Sequence, residues 1–152
     1  MTAKIKKTAL MCAADLLSRQ DQSESRLRQK LEMRNYSQTE IDNAISTLKQ
    51  RNYLDDKSAC ANQFDIWYQS KRYSVRQICY KLVNLGFDYQ LVESLMPKDF
   101  DEHDKAVAIN MMRTKFKTLP EDNKIFQYLA NKGFESSVVI EAVNEFKHDF
   151  ID

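Results

Sequence analysis

Only two glycines, Gly86 and Gly133, and two prolines, Pro97 and Pro120, occur in 152 residues. A sheet-rich fold of this length would need more turn formers, and a phosphate-cradling loop would need clustered glycines. Rossmann and P-loop nucleotide sites are thereby excluded. The three cysteines, Cys12, Cys60 and Cys79, are far apart and odd in number, with no Cys-x-x-Cys pair. They support neither a disulfide framework nor a zinc site. No apolar run approaches the roughly 20 residues that a membrane helix needs. The basic start Met1–Lys7 leads into no secretory cleavage pattern. An all-α cytoplasmic protein is the expectation that these absences leave.

What is present is a repeat. Leu27, Leu31, Asn35 and Tyr36 are followed by Ile41, Ala44 and Ile45. The same internal spacing recurs in Ile78, Leu82, Gly86, Phe87, Val92, Leu95 and Met96, and again in Ile125, Leu129, Gly133, Phe134, Val139, Ala142 and Val143. Both glycines of the chain fall at one position of the pattern, where the first copy has Asn35. Gly and Asn tolerate the left-handed conformation that closes a helix, and the following hydrophobic residue folds back on the last turn. Upstream, Leu10, Ala13 and Leu17 match Ala61, Phe64 and Tyr68, and then Ile109, Met112 and Phe116.

Each copy therefore reads as three helices. The spacing predicts helices near 8–19, 23–34, 38–51, 56–71, 75–85, 88–96, 102–117, 121–132 and 136–149. Ser37-Gln38-Thr39-Glu40 is a capping box, Ser23, Ser74 and Ser136 suit N-caps, and Pro120 suits a first turn. Three tandem three-helix repeats follow, at 1–52, 53–100 and 101–152, forming one continuous protein. A unit of about 45 residues buries little apolar surface alone, so stacked units sharing surface predict an elongated body, curved where successive units rotate. A compact nine-helix globule is the competing arrangement.

The net charge of +1 conceals segregation. Residues 1–34 carry eight Lys/Arg against four Asp/Glu. Residues 68–86 hold Lys71, Arg72, Arg76 and Lys81 with no acid, and residues 105–117 hold Lys105, Arg113, Lys115 and Lys117 with no acid. Arg26, Lys30 and Arg34 are spaced four apart and form one ridge, with Arg28 near its edge. Tyr73 and Tyr80 accompany the second block, where aromatics could stack on bases. Any single cluster is most simply a solvated helix face. Three acid-free or acid-poor clusters together point to a binding surface for phosphates or an acidic protein groove.

Catalytic constellations are absent from the sequence pattern. His103 and His148 have no helical metal partner. Asp99-Phe100-Asp101-Glu102-His103-Asp104 lacks the glycine of a calcium loop and reads as an acidic first helical turn. Cys12 and Cys79 read as small buried residues. No enzyme, metal or cofactor is expected.

Leu16-Leu17-Ser18-Arg19-Gln20-Asp21-Gln22-Ser23-Glu24-Ser25-Arg26-Leu27-Arg28-Gln29-Lys30-Leu31 resembles the opening motif of the RecX family. Tyr53-Leu54-Asp55-Asp56 resembles its central Tyr-Leu-Asp-Asp element, and Leu129-Ala130-Asn131-Lys132-Gly133-Phe134 is similar to its C-terminal Leu-x-x-Arg-Gly-Phe/Tyr. The likeness covers about 8–150. Of the family's Gly-Tyr-Gly-Pro and Arg-Ile-Arg run, only the tyrosine and isoleucine remain in Arg72-Tyr73-Ser74-Val75-Arg76-Gln77-Ile78-Cys79. The resemblance implies a regulator that lies in the groove of the RecA–DNA filament, inhibits ATPase, strand-exchange and coprotease activities, and binds DNA weakly. It would act as a monomer away from membranes. The residues expected to contact filament or DNA are Arg26, Arg28, Lys30, Arg34, Lys71, Arg72, Tyr73, Arg76, Lys81, Arg113, Lys115 and Lys117. A stand-alone nucleic-acid binder, against which the near-neutral charge argues, and a helical-repeat adaptor for another protein are the alternatives.

Overall fold

The computed structural model describes residues 6–151. Most of the basic start, Met1–Ile5, lies outside them. The described residues form nine α-helices and no strand: α1 Ala9–Arg19, α2 Glu24–Met33, α3 Gln38–Gln50, α4 Asp56–Ser70, α5 Val75–Asn84, α6 Tyr89–Ser94, α7 Asp101–Lys115, α8 Asp122–Asn131 and α9 Ser136–Lys147. A 3-10 turn, His148–Phe150, follows. Among the described residues, no helix is long and apolar enough to cross a membrane.

Side-chain caps explain several of the helix starts. Thr8 accepts from the Met11 amide and Ser23 from the Arg26 amide. Ser37 and Glu40 form the expected reciprocal box. Ser74 does the same with Gln77, whose side chain accepts from the Ser74 N–H. Two starts differ from expectation. Glu121 and Glu135 are the N-caps of α8 and α9, so Pro120 stands before its helix and Ser136 is already inside one. The stripe on α1 is also turned by one residue. Ala9, Ala13 and Leu16 are its buried face, while Leu10 and Leu17 flank it half-buried.

The chain divides into two compact units, one running to Asn62 with Leu82–Val92 added, the other holding Gln63–Lys81 and Glu93 onward. The residues of the middle repeat are thus shared between them. In the first unit Ala13, Leu27, Leu31, Ile41, Ile45, Leu48 and Leu54 make the core. In the second, Val107, Met112, Ile125, Leu129, Phe134, Val139, Val143 and Phe146 do so.

Each second helix ends the same way. Asn35, Gly86 and Gly133 have φ of 65°, 94° and 84°. The amides of Tyr36, Phe87 and Phe134 reach back to the carbonyls of Leu31, Leu82 and Leu129 at 3.3–3.4 Å. This closure satisfies carbonyls that the helix end leaves open, buries Phe87 and Phe134, and sets Tyr36 half-buried against the core of its unit.

The glycines have a second reason. Ser23, the N-cap of α2, donates 2.7 Å to the Leu85 carbonyl, and Ser25 donates 2.8 Å to Gly86. A Cβ on Gly86 would meet both hydroxyls at 2.5 Å. Ser74, the N-cap of α5, donates 2.8 Å to the Lys132 carbonyl, and a Cβ on Gly133 would lie 3.1 Å from the Cβ of Arg76. In each case the N-cap serine of one second helix holds the C-terminal turn of the next. The first second helix has no predecessor, and there Asn35 suffices.

Candidate functional site

The expected cations part company once their neighbours are visible. On α2, Arg28 binds Asp42 at 2.7 Å and Glu24 at 3.6 Å. The Asp42 hydrogen bond raises the Arg28 pKa further, and Arg28 in turn holds the Asp42 carboxyl below its ordinary range. The Arg26 guanidinium donates to the Asn84 carbonyl at the end of α5, and Arg34 donates back to the Lys30 carbonyl at 3.1 Å. In the third basic block, Arg113 makes a two-bond pair with Asp149 at 2.8 and 3.1 Å, and Lys105 pairs with Glu145 at 3.2 Å. The hydrogen bond from Arg113 keeps the Asp149 carboxyl low. The local count of 105–117 as acid-free therefore does not describe the folded surface, because α9 and the 3-10 turn supply the acids. Lys117 donates to the Arg113 carbonyl at 3.3 Å.

Apart from Lys30 on α2, the remaining expected cations lie in the second unit. Among the described residues, none of Lys71, Arg72, Arg76, Lys81, Lys115 and Lys132 forms an ion pair with a carboxylate. Lys71, Arg72 and Lys115 border a hollow of about 500 Å³ whose floor includes Met111 and Tyr128. Arg76, Lys81 and Lys132 border another of about 590 Å³ with Tyr73 and Tyr80. Neither lining contains an Asp or Glu. Tyr128 links the hollows, with Lys115 Nζ 6.0 Å and Lys132 Nζ 5.8 Å from its ring centre.

Aromatic rings position the cations. Lys81 Nζ sits 4.9 Å from the Trp67 ring centre and 4.6 Å from that of Tyr73, and the two rings meet edge to face at 6.2 Å. Ring faces attract ammonium groups without neutralising them, so the charge stays available to a ligand. Tyr80 is 70% exposed. A polar surface with an open aromatic of that kind suits an anionic chain carrying planar groups. Lys71 is held at φ 53°, a left-handed conformation that costs a non-glycine residue about 1 kcal/mol.

A buried pair supports that turn. His103 and Asp104, read from sequence as part of an acidic first helical turn, are 7% and 2% exposed. His103 Nδ1 lies 3.1 Å from Asp104 Oδ1, and its Nε2 lies 2.9 Å from the Tyr68 carbonyl at the end of α4. The imidazole stacks on Tyr68, ring centres 3.9 Å apart. Asp104 Oδ1 accepts from the Val75 N–H at the start of α5. Burial pushes the Asp104 carboxyl above its ordinary range. The pair ties both ends of the Lys71–Ser74 segment to α7. Sequence reasoning missed this role, and it missed Tyr128 and Lys132 as site residues. The one local signal was Lys132 beside Gly133, in a motif noted for other reasons. No three His, Cys, Asp or Glu side chains among the described residues converge as a metal set.

Comparison with known proteins agrees with this architecture. The family model described as "RecX, first three-helix domain" matches residues 9–48. The regulatory protein RecX of Haemophilus influenzae is 32% identical over 139 residues, covering 86% of this chain and 90% of that protein. The RecX of Neisseria meningitidis is 30% identical, covering 84% and 83%. The crystal structure of RecX from Lactobacillus salivarius superposes with a TM-score of 0.74 at 19% identity, covering 94% of this chain and 96% of that one. That likeness concerns the fold.

Proposed function

Since the chain belongs to the RecX family of regulatory proteins, we propose that it binds the RecA–DNA filament and inhibits the recombinase, ATPase and coprotease activities of RecA. It would thereby modulate recombination and the SOS response, acting as a cytoplasmic monomer. The observation that carries this reading is the acid-free, aromatic-backed surface of Lys71, Arg72, Arg76, Lys81, Lys115 and Lys132. A filament groove exposes phosphates and bases, and these side chains offer cations for the former and Tyr73 and Tyr80 for the latter.

Arg26, Arg28 and Arg113, whose guanidinium groups are already engaged within the protein, would contribute less than Lys71, Arg72 and Arg76. The same surface supports a second reading, direct binding to single-stranded DNA without RecA. Fluorescence anisotropy with labelled single-stranded DNA separates the two. Tighter binding to RecA-coated DNA than to bare DNA at equal salt supports the regulator. Equal or weaker binding supports the stand-alone binder.

A further inference from the structure

One backbone position in the second unit is held against its own preference. Among the described residues, Asn35, Asn52, Lys71, Gly86 and Gly133 have positive φ, so Lys71 is the one left-handed residue that is neither Asn nor Gly. A lysine has no short polar side chain to settle that conformation, and Asn or Gly would stand there at lower cost. Bonds within the turn are weak. The Lys71 N–H reaches the Tyr68 carbonyl, and the Arg72 N–H the Ser70 hydroxyl, each only at 3.4 Å. A strained residue persists where its surroundings over-determine it, and such residues gather at binding sites.

The surroundings here are two buried side chains of α7. His103 Nε2 faces the Tyr68 carbonyl, which can only accept, so that nitrogen carries a hydrogen. His103 Nδ1 faces Asp104 Oδ1, and one proton must lie between them, on the ring or on the carboxyl. In either form the pair has no net charge, which suits its burial. Asp104 Oδ1 also takes the Val75 N–H at 3.1 Å. On either side of Lys71 the backbone is thus fixed to one couple. Between those two points Lys71 and Arg72 are exposed and border the hollow shared with Lys115 and Tyr128.

We propose that His103 and Asp104 are positioning residues for anion binding: they hold Lys71 in a conformation it does not choose, so that its ammonium and the Arg72 guanidinium meet a nucleic-acid phosphate at that hollow. Asn closes α2 and α3, and Gly closes α5 and α8, whereas a lysine is kept at this turn for its charge. The assignment rests on the phosphate-binding reading of the same surface, and it adds two buried residues that themselves touch no ligand.

The test is a double-mutant cycle on the full chain, with thermal melts in parallel. Binding is read below every melting transition, by fluorescence anisotropy on labelled single-stranded DNA, bare and RecA-coated. Lys71→Asn removes the charge but suits the left-handed turn. It should melt about 2–4 °C above wild type and bind about fivefold more weakly. His103→Phe keeps a ring to stack on Tyr68 but loses both hydrogen bonds. It should weaken binding about fivefold in the otherwise wild-type chain. In the Lys71→Asn background, where the turn holds itself, the loss should be less than about twofold. A His103→Phe chain that folds only in the Lys71→Asn background would support the same coupling. Equal losses in both backgrounds, failure of both chains to fold, or a Lys71→Asn chain that melts below wild type would overturn the inference and leave the pair to the fold alone. Wild type that binds neither form of DNA would overturn the reading of the surface, and this inference with it.

Discussion

Ser23 donates its hydroxyl proton to the carbonyl of Leu85 across 2.7 Å, joining the start of α2 to the end of α5. Ser74 repeats the contact on Lys132 at 2.8 Å. At Gly86 the hydroxyls of Ser23 and Ser25 fill the space where a Cβ would go, and at Gly133 the Cβ of Arg76 crowds that space at 3.1 Å. Gly86→Ala should therefore cost about 3 kcal/mol, combining a left-handed penalty with overpacking. Asn35→Gly should change stability by no more than about 1 kcal/mol. Gly86→Asn separates the causes, since Asn tolerates the dihedral angle and still carries the Cβ. It should remain destabilising in chemical denaturation. Wild-type stability for Gly86→Asn would contradict the packing argument.

Asp104 connects α7 to the start of α5 through Val75 and to His103 through its ring nitrogen. Asp104→Ala leaves two buried groups unmet and should cost about 2–3 kcal/mol. The pH dependence has a definite sign. Burial raises the Asp104 pKa, so the native state holds that proton more tightly than the unfolded chain does. The contribution of Asp104 to stability therefore falls as pH rises from the ordinary carboxylate pKa through the raised one. Asp104→Asn retains an acceptor for Val75 and should gain relative to wild type across that window. Denaturant midpoints measured at successive pH values check this, and a constant difference would refute it.

Charge removal should discriminate between free and engaged arginines. Arg72→Ala with Arg76→Ala should weaken binding to the RecA–DNA filament at least about tenfold, and the slope of log K against log salt should become shallower by about 1 per lost phosphate contact. Arg113→Ala, which removes a group already held by Asp149, should have a much smaller effect. Equal losses from both variants would show that the acid-free surface is not special.

Tyr80→Ala tests stacking. The ring is largely exposed, so thermal stability should move by no more than about 0.5 kcal/mol. Binding to filament or single-stranded DNA should weaken by about 1–3 kcal/mol if the ring stacks on a base. Unchanged binding in an anisotropy titration would remove Tyr80 from the interface.

Much of the fold could be read from spacing. The left-handed residue and the aromatic after it recur at fixed distance from the apolar stripe, and all three helix ends close as that pattern requires. Local signals carry such features because they depend on neighbours within one turn. The division of the middle repeat between two compact units has no local signature. Nor could a count over 105–117 register Asp149 and Glu145, which neutralise Arg113 and Lys105 from more than thirty residues away. Tyr128 looks like an ordinary helix residue beside Ile125 and Leu129 until Lys115 and Lys132 are seen on either side of it. His103 and Asp104 belong to a run that sequence alone reads as an acidic first helical turn, and burial against Tyr68 and Val75 gives them another role.

The most direct test of the central claim is the DNA-dependent ATPase of RecA, measured while the wild-type chain and a Lys71→Ala, Arg72→Ala, Arg76→Ala variant are titrated in. The account predicts inhibition by wild type at well below one chain per RecA, and its loss in a variant that retains the wild-type helical circular dichroism spectrum. Absence of inhibition even with wild type in excess, or full inhibition by the triple variant, would contradict it.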